Sequence, residues 1–165
     1  VYWKFIALDR KYNFSSRTDA LRGRPPREHV VQDIEVPVDA LPEFLHFFHE
    51  EVGIEPIWVC PLRQRDPDAR WPLYEFDPHK LYVNVGFWST VPLSDGGDPS
   101  DGRVNRRIEQ KVIELDGRKS LYSTAFYDKD TFWSIYGGHE YERLKKEYDP
   151  HGRLLGLYEK VVEQR

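Results

Sequence analysis

Two stretches of this chain alternate apolar and polar positions, and two others repeat apolar residues at helical spacing. Residues 29 to 38, HVVQDIEVPV, place Val30, Gln32, Ile34 and Val36 on one side of an extended chain and Val31, Asp33 and Glu35 on the other, which predicts a strand. From Asp39, an acceptable N-cap, Leu41, Phe44, Leu45, Phe48 and Val52 trace a helical stripe that stops at Gly53, with Pro42 tolerated in the first turn. Ile57 to Cys60 read as a second strand, followed by the polar, proline-punctuated loop LRQRDPDARWPLYEFDPHK. LYVNVGFWST, residues 81 to 90, alternates again and predicts a third strand, and VPLSDGGDPSDG after it is turn chemistry throughout, the segment expected to move most. Val104, Ile108, Val112 and Leu115 then predict a second long helix ending at Gly117. SLYSTAFY, residues 120 to 127, reads as a fourth strand, Asp128 as the cap of a helix over KDTFWSIYGG, and HEYERLKKEYDP and RLLGLYEKVVEQR as terminal helices.

The order β, α, β, β, α, β is the split βαβ pattern. The expected fold is α+β, an antiparallel, ferredoxin-like sheet with helices on one face and further helices at the C-terminal end. Residues 1 to 22 mix apolar and charged positions and end in the breaker GRPP; they read as a lead-in helix. With Val1 first and no Met anywhere, the expectation is a piece of a longer protein, residues 1–27 leading in and residues 28–165 forming one domain.

Composition narrows the function classes. At 39% hydrophobic and 15% aromatic the chain is rich enough to fold, and 165 residues suit one domain with its own core. A net charge of -4 with scattered basic residues argues against nucleic acid as a partner. One Cys excludes an internal disulfide, and no apolar run approaches a membrane span, so the expected location is cytoplasmic, with peripheral membrane association as its variant.

Phosphate-cradling and hydrolase motifs are absent: there is no GxGxxG opening a helix after a strand, no Walker sequence and no GxSxG elbow. His46, His49 and Glu50 sit near one another on a helix but lack zincin spacing, and Asp95, Asp98 and Asp101 fail the alternate-residue pattern of a calcium loop. Both groups read as solvated surface, and no metal is expected. Cys60 has no recognisable His partner and reads as a small apolar residue rather than a nucleophile.

The strands carry the stronger signal. One face is plainly apolar, whereas the other presents Trp58 and Cys60, then Tyr82, Asn84 and Gly86, then Tyr122, Thr124 and Phe126. Such a face is too hydrophobic for bare solvent and too polar for a helix-packed core. It suits a flat aromatic cofactor, a large apolar substrate or a domain interface, or else it is merely covered by loops.

EHVVQDIEVPV, PIWVCPL, LYVNVG and SLYSTAFYDKDTFW, with EYERLKKEYD and LYEKV, resemble the C-terminal part of the FAD-dependent delta(24)-sterol reductases, the diminuto/seladin type within the vanillyl-alcohol oxidase and para-cresol methylhydroxylase flavoproteins. The resemblance runs in matching order from Glu28 to Val161. It implies a cap and substrate domain laid over an FAD held by an FAD-binding domain of the same protein. The activity it implies is reduction of a sterol or similar lipid C=C bond by flavin hydride transfer, with NADPH as electron donor. Tyr122 is then the first candidate for catalysis, as proton donor or pocket organiser; Trp58, Cys60, Thr124 and Tyr127 are candidates for the substrate, and Asn84 and Tyr82 for the cofactor. Gln32 and Asp33 are expected to hold the cap against the FAD domain. Alone, the segment is expected to be inactive and to self-associate. The competing reading is a free-standing split-βαβ module that binds a ligand or dimerises without catalysis.

Overall fold

A computed structural model describes residues 22–164. The lead-in helix expected over residues 1 to 22 lies, apart from Arg22, outside the described residues. The chain runs β1 (Arg27–Pro37), a 3-10 turn (Val38–Ala40), α1 (Leu41–Glu51), β2 (Trp58–Leu62), β3 (Tyr82–Pro92), a second 3-10 turn (Pro99–Asp101), α2 (Arg103–Glu114), β4 (Arg118–Lys119), α3 (Lys129–Ile135), α4 (Gly138–Tyr148) and α5 (Leu157–Val161). Its sheet has the order β2-β3-β1-β4, with every neighbouring pair antiparallel. The helix-linked strands β1 and β2 are therefore separated by β3, which is the expected split βαβ arrangement in an α+β domain.

The core follows from the alternation. Val30, Gln32, Ile34 and Val36 of β1 are all fully buried, and with Val83, Val85 and Phe87 of β3 they form the sheet's apolar side. Phe44, Phe47 and Phe48 of α1 and Ile108 and Val112 of α2 complete that core, with the Phe48 and Phe87 rings 4.5 Å apart. Val52 closes the α1 stripe, and Gly53 at φ +66° ends it in the left-handed conformation a glycine adopts cheaply.

Asp39 does not cap α1. It sits inside the 3-10 turn, and Ala40 takes the cap position without a side-chain hydrogen bond. Pro42 removes one of the N–H groups that a capping side chain would have bound. By contrast, Asp128 does cap α3, accepting from Thr131 N at 2.9 Å.

The N-terminus of α2 is capped from a distance. Gly102 offers no side chain, and the Glu28 carboxylate on β1 accepts from Val104 N (3.1 Å), Asn105 N (2.9 Å) and Asn105 Nδ2 (2.7 Å). Gln32 adds its amide to Asn105 Oδ1 at 2.7 Å. Gln32 is thus turned toward α2 in the core, so it does not hold an adjoining domain.

The fourth strand is the main correction. Only Arg118 and Lys119 pair with β1, and residues 120 to 128 are irregular. Their backbone groups find other partners: Ser120 N donates to Asp33 O, Phe126 N to the Glu109 carboxylate, and Ala125 N to Val161 O, while Thr124 O accepts from Lys119 Nζ. A sheet ladder is not needed once those groups are satisfied. The segment's apolar residues instead build a second core of Ala125, Tyr127, Phe132, Tyr136 and Val161. The last helix is likewise shorter than expected, confined to Leu157–Val161.

Candidate functional site

Opposite α1 and α2, the sheet presents the mixed face. Antiparallel register puts Trp58, Gly86 and Asp33 in one row and Cys60, Asn84, Glu35 and Arg118 in the next, while Trp88 and Val31 lie on one side of these rows and Leu62, Tyr82 and Pro37 on the other.

The two ends of this face differ. At the Tyr82 end, the loop after β2 lies across the strands. Phe76 packs on Tyr82 with ring centroids 4.3 Å apart, Tyr82 Oη accepts from Asp77 N at 3.2 Å, and Tyr82 is 4% exposed. Tyr74 reaches in from the same loop to donate to Glu35. Glu35 also accepts from Asn84 Nδ2 at 2.7 Å and from Ser120 Oγ at 3.1 Å. Burial pushes the Glu35 carboxyl up, three hydrogen bonds work against the shift, and the neighbouring Asp33 charge adds to it. Burial and the Glu35 charge push the Tyr74 hydroxyl far up, so it remains a donor.

The other end is open. Trp58, Trp88 and Tyr122 are 58%, 55% and 56% exposed, which is unusual for three large aromatic side chains on one side of a sheet. Trp88 Nε1 donates to Tyr122 Oη at 2.9 Å. Gly86 makes this cluster fit: a Cβ there would fall 2.2 Å from Asp33 Oδ1 and 2.9 Å from the Trp88 ring. Asp33 Oδ1 is sealed from solvent and accepts no hydrogen bond. Burial pushes the Asp33 carboxyl up, with the nearby Tyr122 hydroxyl opposing; burial also raises the Tyr122 hydroxyl, with the Trp88 hydrogen bond opposing and the Asp33 charge assisting.

The structure therefore gathers Tyr122, Trp58, Cys60 and Asn84 on one face. Cys60 is half-buried there. Tyr82 belongs to the same face but lies beneath Phe76. Tyr127 is elsewhere, 7% exposed in the second core beside Tyr136, because the segment that carries it is a loop rather than a strand. Thr124, in that same loop, offers its carbonyl to Lys119. Two shallow depressions, one along α4 and one between α2 and the start of α3, lie away from this face.

Sequence reasoning missed Glu35, Tyr74 and Trp88 as members of the site and gave Asp33 only an interdomain role. Two carboxylates at i and i+2 on the strand side opposite Val30, Ile34 and Val36 were the available signal. Tyr74 sits in an aperiodic loop and left none.

The fold and this face define a split-βαβ α+β domain with an exposed aromatic and acidic sheet surface. No family model matches the chain. Similarity to known proteins is nonetheless consistent. The chain is 26% identical over 164 aligned residues to a delta(24)-sterol reductase of Arabidopsis thaliana, covering 92% of this chain and 29% of that protein. It is 28% identical over 146 residues to that of Rattus norvegicus, covering 88% and 27%. With a Caenorhabditis elegans delta(24)-sterol reductase homolog the identity is 32% over 118 residues, covering 72% and 22%. This chain is thus similar to a segment of the delta(24)-sterol reductases, and it spans less than a third of the length of these curated relatives. Among the described residues no helix is long and apolar enough to cross a membrane.

Proposed function

We propose that this chain is the C-terminal cap and substrate segment of an FAD-dependent oxidoreductase that reduces a C=C bond of a sterol side chain or similar lipid. The single observation that carries the reading is the open cluster of Trp58, Trp88 and Tyr122 beside Asp33, on the sheet side away from α1 and α2. The names of the relatives supply the reaction class.

The residues fit a flat ring and an apolar substrate. Gly86 lets the Trp88 ring and Asp33 close over its strand, and the two indoles give apolar walls that keep water from the reacting carbons. When bound, the flavin supplies the hydride, with NADPH as the reductant that recharges it. The protein must supply the proton. Tyr122 is the donor this face offers, since Trp88 N–H already occupies its oxygen as a donor and leaves the hydroxyl proton free to be directed. Cys60 and Asn84 line the rim, Asn84 with its amide committed to Glu35. Tyr127 and Thr124 act at a remove, by holding the loop that carries Tyr122.

The test uses the full-length protein that contains this chain. A bound-flavin absorption spectrum, bleached by NADPH under anaerobic conditions and restored by a delta(24)-unsaturated sterol with saturation of its side chain, is the expected result. Absence of flavin from the purified protein would overturn the oxidoreductase reading and return the face to a ligand-binding or dimerising module.

A further inference from the structure

We propose that Trp88 is a positioning residue for the proton donor: its indole N–H fixes the Tyr122 hydroxyl and stabilises the oxyanion left when Tyr122 gives up its proton. This rests on the reductase reading of that face.

Gly86 sets the indole in place. Residues 86 and 88 of β3 face the same side of the sheet. A Cβ at Gly86 would fall 2.9 Å from Trp88 Cη2 and 3.2 Å from Cζ2, so the benzo edge of the indole lies in the space that a side chain at 86 would fill. The β2 ladder starts at Trp58, opposite Gly86, and so does not run beside Trp88. With its benzo edge seated there, Trp88 brings Nε1 to 2.9 Å from Tyr122 Oη.

The loop brings the phenol to meet it. Ser120 N donates to Asp33 O and Ser120 Oγ to Glu35, while Thr124 O accepts from Lys119 Nζ, so Tyr122 is bracketed by anchors two residues away on either side. Those anchors place the backbone, and Trp88 places the hydroxyl.

An indole N–H donates and never accepts. Tyr122 Oη is therefore the acceptor in this bond, and its own proton is available to a substrate carbon. In the reaction the Tyr122 O–H bond breaks as a C–H bond forms at one alkene carbon. The hydride comes to the other carbon from the reduced flavin, which is oxidised, and the O–H electron pair stays on the Tyr122 oxygen until solvent returns a proton. A hydrogen bond to a charged acceptor is roughly twice as strong as one to a neutral acceptor, so the Trp88 N–H contributes most in the transition state. Trp88 and Tyr122 are both more than half exposed. Water competes for their bond on a bare face and is excluded once flavin and substrate cover it, which makes the effect a property of the holoprotein.

The test removes the N–H alone. In the full-length holoprotein, benzothienylalanine at position 88 keeps the shape of the ring with sulfur in place of N–H, and Trp88→Phe is its simpler companion. Single-turnover oxidation of the reduced flavin by a delta(24)-unsaturated sterol is expected to slow by about 10- to 100-fold, the worth of one hydrogen bond to a developing charge, with the half-saturating sterol concentration unchanged. In a Tyr122→Phe background the sulfur replacement is expected to cost nothing further, because Trp88 acts through the phenol. Ultraviolet resonance Raman of the full-length protein, with and without flavin, reads the bond itself: the indole N–H marker band of Trp88, assigned with Trp88→Phe, is expected to move in Tyr122→Phe. Equal slowing in both backgrounds, a wild-type rate without the N–H, or a Trp88 band that Tyr122→Phe leaves in place overturns the proposal. Absence of sterol turnover in the wild type with the band shift present overturns the reductase reading and leaves the Trp88–Tyr122 bond established.

Discussion

Lys119 Nζ on β4 lies 2.6 Å from Glu109 Oε1 on α2, with the two side chains 0% and 2% exposed. Burial pushes the Glu109 carboxyl up and the Lys119 ammonium down, and their pairing opposes both shifts. Each also serves the loop that carries Tyr122: Lys119 donates to Thr124 O at 2.5 Å, and Glu109 accepts from Phe126 N at 3.0 Å. The ion pair thereby ties the sheet, α2 and the loop together, and the position of Tyr122 depends on it.

Removing one partner leaves the other charge buried and uncompensated. Lys119→Met or Glu109→Gln is expected to destabilise the protein by about 3–5 kcal/mol. Urea unfolding checks this, and a loss below about 1 kcal/mol contradicts it.

Glu28 is expected to behave as a helix cap although it lies on a strand. Glu28→Ala strands Val104 N and Asn105 N and leaves Asn105 Nδ2 only its bond to His29 O. A cost of about 1–3 kcal/mol follows from leaving buried donors unsatisfied. It should appear as a lower urea midpoint at unchanged slope, with faster amide exchange at the start of α2.

Asp149 gives a pH dependence with a definite sign. A hydrogen bond from Lys145, then backbone N–H groups of Leu154 and Arg153, hold its carboxyl at about 2, below its ordinary 3.8. Because the folded pKa is depressed, the stabilisation of this loop is present above pH 3.8 and lost as pH falls from there toward 2. Amide exchange of Arg153 and Leu154 should accelerate over that window, and in Asp149→Asn at neutral pH as well.

Much of the fold was legible because β1 and β3 each turn one apolar face to the helix-packed core. Val30, Gln32, Ile34 and Val36 against Val31, Asp33 and Glu35 needed nothing beyond the period of two. Residues 120 to 127 show the same apolar spacing, yet Lys119, Glu109 and Val161 satisfy their backbone, and no local pattern reports partners that far away. The site was legible in part for the same reason. Tyr122 and Trp58 could be read from strand-like alternation, whereas the Trp88–Tyr122 bond depends on how the loop after β4 folds back to Trp88, whose ring lies over Gly86.

Gly86→Ala tests that last point. The new methyl group is expected to displace Asp33 and Trp88 at an overpacking cost of about 1–3 kcal/mol. Trp88 emission should change while the unfolding transition stays cooperative. An unchanged spectrum would mean that the cluster does not close over this position.

The most direct measurement is a single turnover with the full-length protein containing this chain, its flavin reduced anaerobically and then mixed with a delta(24)-unsaturated sterol, in wild type and in Tyr122→Phe. The expected result is flavin reoxidation with an equivalent of saturated side chain in the wild type, slowed by about 100-fold in the variant as the loss of a positioned acid requires. Reoxidation at the wild-type rate in Tyr122→Phe would contradict the assignment of the proton donor, and no reoxidation by sterol in either protein would contradict the reductase reading of this face.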